Sequence, residues 1–357
     1  MSTYLRFYDI SPSGPSSSVE TPLRFSIKDI FSVAGNPCSF GLHPPFLENA
    51  TTTSPFIKEL SQKFKLIGAV NLSPLCLDIA PSNPFYGDGF MTPAQGTLYG
   101  SSFGCVLSLM TDDADMRVDF SIGSDSGGSI RAPAAGADLY GMRLKSDAVS
   151  KEHSLLLASS LDGVGVLTKD LETMERILAT ILTGTTPARN RLVYIPHEAE
   201  LVTLSEATRR SFDCAVSDAS KQYTIEVCDK AFFHTCFEMR KQRMRQALRS
   251  ALFSPQVTPC LTKLPQAHAL RTSLEQHMSE ETPVQQPSFD QNALLLHPTL
   301  TEVEPLNLFL PAANLFDLYS LSLPMKSKGM SICISGCNYS ELLAISKLLT
   351  NSGRASE

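Results

Sequence analysis

The chain has 357 residues, 43% of them hydrophobic and 18% charged, enough to bury one large core or two modest ones. Its formal net charge of -6 at pH 7 argues against a general nucleic-acid or anionic-membrane binder, since such proteins carry a basic footprint. Nine cysteines without a CxxC pair, and seven histidines without an HExxH or finger-type cluster, point away from a disulfide framework and from metal chemistry.

MSTYLRFYDISPSG at the N-terminus lacks a basic region followed by a long apolar run, so neither a signal peptide nor a membrane span is expected and the expected location is the cytoplasm. Residues 11–21 are rich in Ser and Pro and read as a loop, after which LRFSI alternates and leads to Lys28. From Thr53 to Leu66 the spacing of Phe56, Ile57, Leu60 and Phe64 predicts an amphipathic helix, and LIGAV then reads as a buried strand. Pro, Gly and Asn crowd residues 81–100 into a long loop.

A small-residue helix is expected after Ser101 and Ser102, then a strand, VDFSIG, and a Gly-Gly-Ser turn. DLETMERILATIL places Leu171, Met174, Ile177 and Leu178 on one helical face, and RLVYI restarts a strand. Between about 200 and 252 the pattern is mainly helical and includes MRKQRMRQALRSAL, whose basic residues read as the solvated face of an amphipathic helix. Residues 262–305, rich in Pro, Gln, His and Thr, show no clear period and are expected to be irregular. The strand SICISG, with Cys333 in the core, and the helix SELLAISKLL close the pattern. Strands and helices alternating at this spacing predict an α/β fold, a mixed sheet covered by helices on both faces.

Chemistry concentrates in GSDSGGSIRAPA, residues 123–134. Ser129 follows Gly127 and Gly128, whose missing side chains let backbone N–H groups approach a substrate, as acyl transfer requires. An isolated GGS triplet is more often an ordinary turn, so the weight rests on the whole string and its company. Taken with IKDIFSVAG around Lys28 and YGSSFG around Ser101, the string resembles the amidase signature family, whose catalysts use a Ser-Ser-Lys triad. SLDGVGVLTKDLETMERIL, NLFDLYSLSLP, SICISG and SELLAISKLL extend the likeness, and around Lys28, Ser129 and SLDGVG the wording is nearest to indole-3-acetamide hydrolase-like amidases.

The resemblance implies one amidase signature domain over residues 1–357, shortened at the N-terminus and in the later substrate-binding region. It implies Ser129 as nucleophile, Ser101 as bridging serine, Lys28 as proton acceptor and donor, and the N–H groups of Ser126, Gly127, Gly128 and Ser129 as oxyanion donors. Asp125 and Arg131 are expected to hold the loop in shape rather than to touch substrate. No cofactor or metal is implied, the partner is a small amide, and a homodimer is compatible with it.

Some residues depart from the family pattern. Tyr99 and Phe103 stand where small residues are usual, Ala69 replaces a lysine, and Asp138 and Leu144 replace a glycine and a proline. TDDADMR lengthens the interval between Ser101 and Ser129. Beside an amidohydrolase, the sequence therefore leaves open a binding protein on a catalytically impaired scaffold, or the glutamine-hydrolysing component of a tRNA-dependent amidotransferase.

Overall fold

The computed structural model describes residues 3–12, 21–43, 45–92, 94–156, 158–182, 192–252, 284–301, 307–325 and 330–351. A single eleven-stranded mixed sheet runs through them. Its first half consists of β1 (Tyr4–Ile10), β2 (Arg24–Lys28), β3 (Lys65–Val70), β4 (Phe120–Asp125), β5 (Tyr140–Arg143) and β6 (Gly163–Thr168). The second half is β7 (Leu192–Ile195), β8 (Thr224–Val227), β9 (Leu294–Pro298), β10 (Tyr319–Pro324) and β11 (Ser331–Gly336). The spatial order is β1-β3-β2-β4-β6-β5-β10-β11-β9-β7-β8.

Helices α1 (Pro55–Ser61), α2 (Phe103–Met110), α3 (Arg131–Gly136), α4 (Leu171–Ile181), α5 (Glu198–Leu201), α6 (Glu206–Ser220), α7 (Phe232–Leu252), α8 (Pro311–Leu315) and α9 (Tyr339–Asn351) flank the sheet. Consecutive strand residues face opposite sides, and on β6 Val166 and Leu167 enter different apolar clusters. Val166 joins Phe56 and Leu60 of α1, Met174 and Ile177 of α4 and Phe212 of α6. Leu167 joins Phe103, Val106 and Leu109 of α2 and Ala134 of α3. The α/β architecture expected from the alternation is the one observed. Among the described residues no helix is long and apolar enough to cross a membrane.

What positions the site is the parallel run β3-β2-β4. β2 pairs in parallel with both neighbours, Ile27 standing opposite Ala69 and Ile122, so all three strands end at the same edge. Lys28 is the last residue of β2, and Ser124 and Asp125 are the last of β4. The extra residues of TDDADMR lie at the other edge, where Arg24 Nη1 donates to the Ala114 carbonyl at 2.6 Å and Tyr4 Oη donates to that of Met116 at 2.6 Å.

Two expectations need correction. The helix predicted from Thr53 to Leu66 ends at Ser61, because the sheet takes the chain from Lys65 onward. Phe64 keeps its buried phase, its ring 5.1 Å from that of Phe120. Within 262–305, Leu294–Pro298 is not irregular: it forms β9, buried at all five positions and paired with β11 and β7. Its LLLHP sequence lacks the polar alternation that marks a half-exposed strand. Residues 262–283 and 302–306 of that segment, and 13–20 of the Ser/Pro loop, lie outside the described residues.

Candidate active site

Lys28 is fully buried, and its Nζ is hydrogen-bonded by three hydroxyls: Ser101 Oγ at 3.0 Å, Ser102 Oγ at 3.1 Å and Ser124 Oγ at 3.1 Å. Pleating turns the neighbouring Asp29 elsewhere. Its carboxylate ion-pairs with Arg6 and accepts the Ser39 N–H at 2.8 Å. The Cys76 thiol belongs to the same surroundings, pushed up by burial while the nearby Lys28 opposes the shift.

Ser101 and Ser102 sit where the 81–100 loop turns into α2. Gly100 is needed there with φ +71, and a methyl group placed on it would stand 3.1 Å from Pro133 Cδ and 3.9 Å from the Ser129 Cα. The loop that carries Ser129 thus passes directly beside the Gly100–Ser101 turn. Ser129 is half-buried, and among the described residues its hydroxyl makes no hydrogen bond. Lys28 and Ser101 are therefore joined and Ser129 lies near them, but no hydrogen bond closes the step from Ser101 to Ser129. Catalytic hydrogen bonds often tighten only when substrate is bound.

The loop from Ser126 to Ser129 is held from both ends. Asp125 Oδ1 accepts the Gly128 N–H at 2.8 Å, and Asp125 Oδ2 accepts the Ile130 N–H at 3.3 Å. Arg131 clamps the same carboxylate through Nη2 at 2.8 Å and Nε at 3.0 Å, and both side chains are fully buried. Burial opposes ionisation of Asp125, but the Arg131 guanidinium outweighs it and holds the carboxyl well below the usual range. Asn314 completes the clamp, donating to Asp125 Oδ1 at 3.0 Å and accepting from Arg131 Nη2 at 2.7 Å.

Loop carbonyls are drawn outward. The Ser126 carbonyl accepts from Arg240 Nε at 3.4 Å, and the Gly127 carbonyl accepts from Asn307 Nδ2 at 3.1 Å. Gly128 has φ +113, and a Cβ there would lie 3.0 Å from Leu310 Cβ, so the position has neither conformation nor room for another residue. One expectation narrows: the Gly128 N–H is engaged by Asp125, which leaves Ser126, Gly127 and Ser129 as the candidate oxyanion donors.

Residue-by-residue reading missed several partners. Asp162, inside SLDGVG, accepts from Ser126 Oγ through Oδ1 and from the Ala158 N–H through Oδ2 at 2.8 Å. Ser124, Asn307, Asn314 and Arg240 also went unnoticed, and Arg240 corrects the reading of its helix as a solvated basic face. The unusual residues find room: Phe103 packs into the core beside Gly89, and Tyr99 lies against Gly136. Asp138 has φ +54, the left-handed conformation that the glycine it replaces would adopt readily.

A family model described as Amidase matches residues 22–248. The chain is 33% identical over 231 residues to Amidase 1 of Oryza sativa subsp. japonica, covering 60% of this chain and 50% of the relative. It is 31% identical over 161 residues to a mitochondrial glutamyl-tRNA(Gln) amidotransferase component of Yarrowia lipolytica, covering 41% of this chain and 33% of the relative. The chain thus spans half or less of the length of these relatives. A solved structure described as a crystal structure of amidase superposes with a TM-score of 0.67 at 21% identity, covering 93% of this chain and 84% of its own, a likeness of fold.

Proposed function

Because the chain belongs to the amidase family, we propose that it hydrolyses a carboxamide to a carboxylate and ammonia or an amine through an acyl-enzyme on Ser129. One observation carries the reading: a fully buried lysine hydrogen-bonded by seryl hydroxyls, Ser101 among them at 3.0 Å, beside the loop that bears Ser129.

In the relay Lys28 acts through its nitrogen lone pair: Ser102 and Ser124 accept its N–H bonds while the Ser101 hydroxyl, 3.0 Å away, delivers its proton to that lone pair. As Ser129 Oγ bonds to the substrate carbonyl carbon, its proton moves to Ser101 and that of Ser101 to Lys28. Negative charge developing on the carbonyl oxygen meets the N–H groups of Ser126, Gly127 and Ser129, fixed beforehand because Asp125, Arg131 and Asn307 already hold the loop. Reversing the relay protonates the leaving nitrogen, the C–N bond breaks, and water activated by the same groups cleaves the ester to free acid and Ser129.

The reading of an impaired scaffold rests on Tyr99, Phe103, Asp138 and the shortened regions. Against it, Phe103 packs into the core beside Gly89, Tyr99 packs against Gly136 and the apolar cluster of Leu310, and the Lys28 to Ser101 bond is in place at 3.0 Å. The test is ammonia release from a panel of small primary amides, aryl-acetamides and glutamine included, for wild type beside Ser129→Ala and Lys28→Ala. Each substitution is expected to lower kcat by roughly 10³-fold or more, and labelling by a fluorophosphonate should vanish with Ser129→Ala. Full turnover in Ser129→Ala would remove the proposed nucleophile. Glutamine hydrolysis that needs a partner protein would favour the amidotransferase alternative.

A further inference from the structure

Cys236, Arg240 and Met244 fall at i, i+4 and i+8 on α7, and both neighbours of Arg240 on that stripe are buried. Helical phase therefore turns Arg240 inward, away from the basic residues already engaged at the surface. Lys241, for comparison, pairs with Glu238 at 3.0 Å, and Arg243 donates to Gln286 at 2.9 Å.

The Arg240 guanidinium packs against Gly127. A Cβ at that glycine would stand 2.8 Å from Arg240 Cζ and Nη2, so a larger residue there would push the guanidinium aside. Among the described residues its five N–H bonds find one acceptor, the Ser126 carbonyl, in a long bond from Nε at 3.4 Å. Among the same residues no carboxylate comes within ion-pair distance. Asp125 is taken by Arg131, and Asp162 by Ser126 and the Ala158 N–H. Arg240 is half-buried, and that burial disfavours its charge while Asp125 and Asp162 oppose the effect from farther away. A guanidinium keeps its proton, so an Nη fork that meets no acceptor among the described residues is open to an anion.

We propose that Arg240 is a specificity-determining residue that binds a carboxylate on the acyl portion of the substrate, making short amides with a second, ionised carboxyl group the preferred class. The proposal rests on Ser126, Gly127 and Ser129 holding the reacting carbonyl. Arg240 Nη2 would stand 2.8 Å from a Cβ on Gly127, one of the three candidate donor residues, which puts the fork within reach of a short acyl chain held at those donors. The planar fork matches a carboxylate edge in two parallel hydrogen bonds, which a neutral acyl chain of the same length cannot make. Neutral aryl-acetamides should be the poorer substrates.

Succinamate and butanamide have the same chain length and differ in the terminal carboxylate, so their kcat/KM values in wild type, Arg240→Gln and Arg240→Lys form the test. Wild type should prefer succinamate, and Arg240→Gln should lower its kcat/KM by roughly 100-fold, mainly through KM. Butanamide should lose far less, only the share that the Arg240 bond to the Ser126 carbonyl contributes to both amides. The succinamate-to-butanamide ratio of kcat/KM should therefore fall by at least about tenfold, and Arg240→Lys should recover part of that ratio because it keeps the charge without the fork. Equal loss for both amides, or no preference in wild type, would overturn the proposal.

Calorimetry with succinamate on Ser129→Ala, and on Ser129→Ala combined with Arg240→Gln or Arg240→Lys, needs no turnover. Binding that weakens at least about 30-fold in the Gln double variant and less in the Lys one supports the anion site. If that holds while wild type cleaves nothing, the hydrolase reading fails and the anion site stands. Cleavage of both amides alike, with binding indifferent to Arg240, leaves the hydrolase and removes the anion site.

Discussion

Asp125 anchors the loop that carries Ser129. Its two oxygens take the Gly128 and Ile130 N–H groups, the Arg131 fork and Asn314, and nothing around it reaches water. Asp125→Asn keeps the shape but leaves the Arg131 charge buried without its counter-ion, an imbalance that costs about 3–5 kcal/mol. We expect urea unfolding to show a loss of that order, with activity falling as the loop loses its anchor; an unchanged midpoint would mean that the other Arg131 acceptors suffice. Gly165 is a second test of the same support. A methyl group there would stand 3.0 Å from the Ile130 Cβ, next to Ser129, so Gly165→Ala is expected to cost about 1–3 kcal/mol and to lower kcat. Wild-type kcat in a folded Gly165→Ala protein would show that Ile130 can move without disturbing Ser129.

At the scale of elements, α4 shows how a helix can follow local rules and stay apart from the chemistry. Asp170 caps it, accepting the Thr173 N–H at 2.7 Å and the Thr173 hydroxyl at 3.0 Å, while Met174, Ile177 and Leu178 are buried. Asp170→Ala should lower stability by about 0.5–2 kcal/mol and leave kcat/KM unchanged, measured by urea unfolding and amide turnover. Loss of activity without loss of stability would tie α4 to the site. The strands behave differently, because β2 and β4 serve the site only as a parallel pair whose ends coincide. α7 is different again: its amphipathic pattern is plain, yet its role turns on the single residue that faces Gly127.

For the whole molecule, pH dependence reports how the second half of the sheet is built. His297 of β9 is fully buried against the rings of Phe233 and Phe309, and its Nδ1–H donates to the Pro298 carbonyl at 2.7 Å. Burial pushes its pKa down to about 3 from the ordinary 6.5, against the Pro298 bond and aided by the Arg131 charge. Folded protein thus keeps the ring neutral where unfolded chain takes up a proton. Its contribution is complete above 6.5 and is lost as pH falls toward about 3, at up to about 1.4 kcal/mol per pH unit. Asp125, with its carboxyl held low, loses its own contribution only below the ordinary 3.8. His297→Phe should flatten the stability profile between these limits, read as urea midpoints at a series of pH values; an unchanged slope would mean that His297 is not the group taking up the proton.

Much of this protein was legible in one dimension, because the signals involved are short in range. The alternation of LRFSI, the period of DLETMERILATIL and the Gly-Gly-Ser turn depend on neighbours a few residues away, and Asp125 stands only six residues from Arg131. That suffices to mark the α/β class, the loop of Ser129 and the family. Lys28, Ser101 and Ser129 could be named because each sits in a distinctive string, although only the parallel pairing of β2 with β4 and the turn at Gly100 bring them to one edge. β9 escaped because a strand buried on both faces carries no alternation. Arg240, Asp162 and Asn314 escaped for another reason: they meet the loop across 114, 36 and 189 residues of chain. Composition marks a helix as amphipathic, but which of its cations is carried inward, and against what, is decided only when the packed elements close around it.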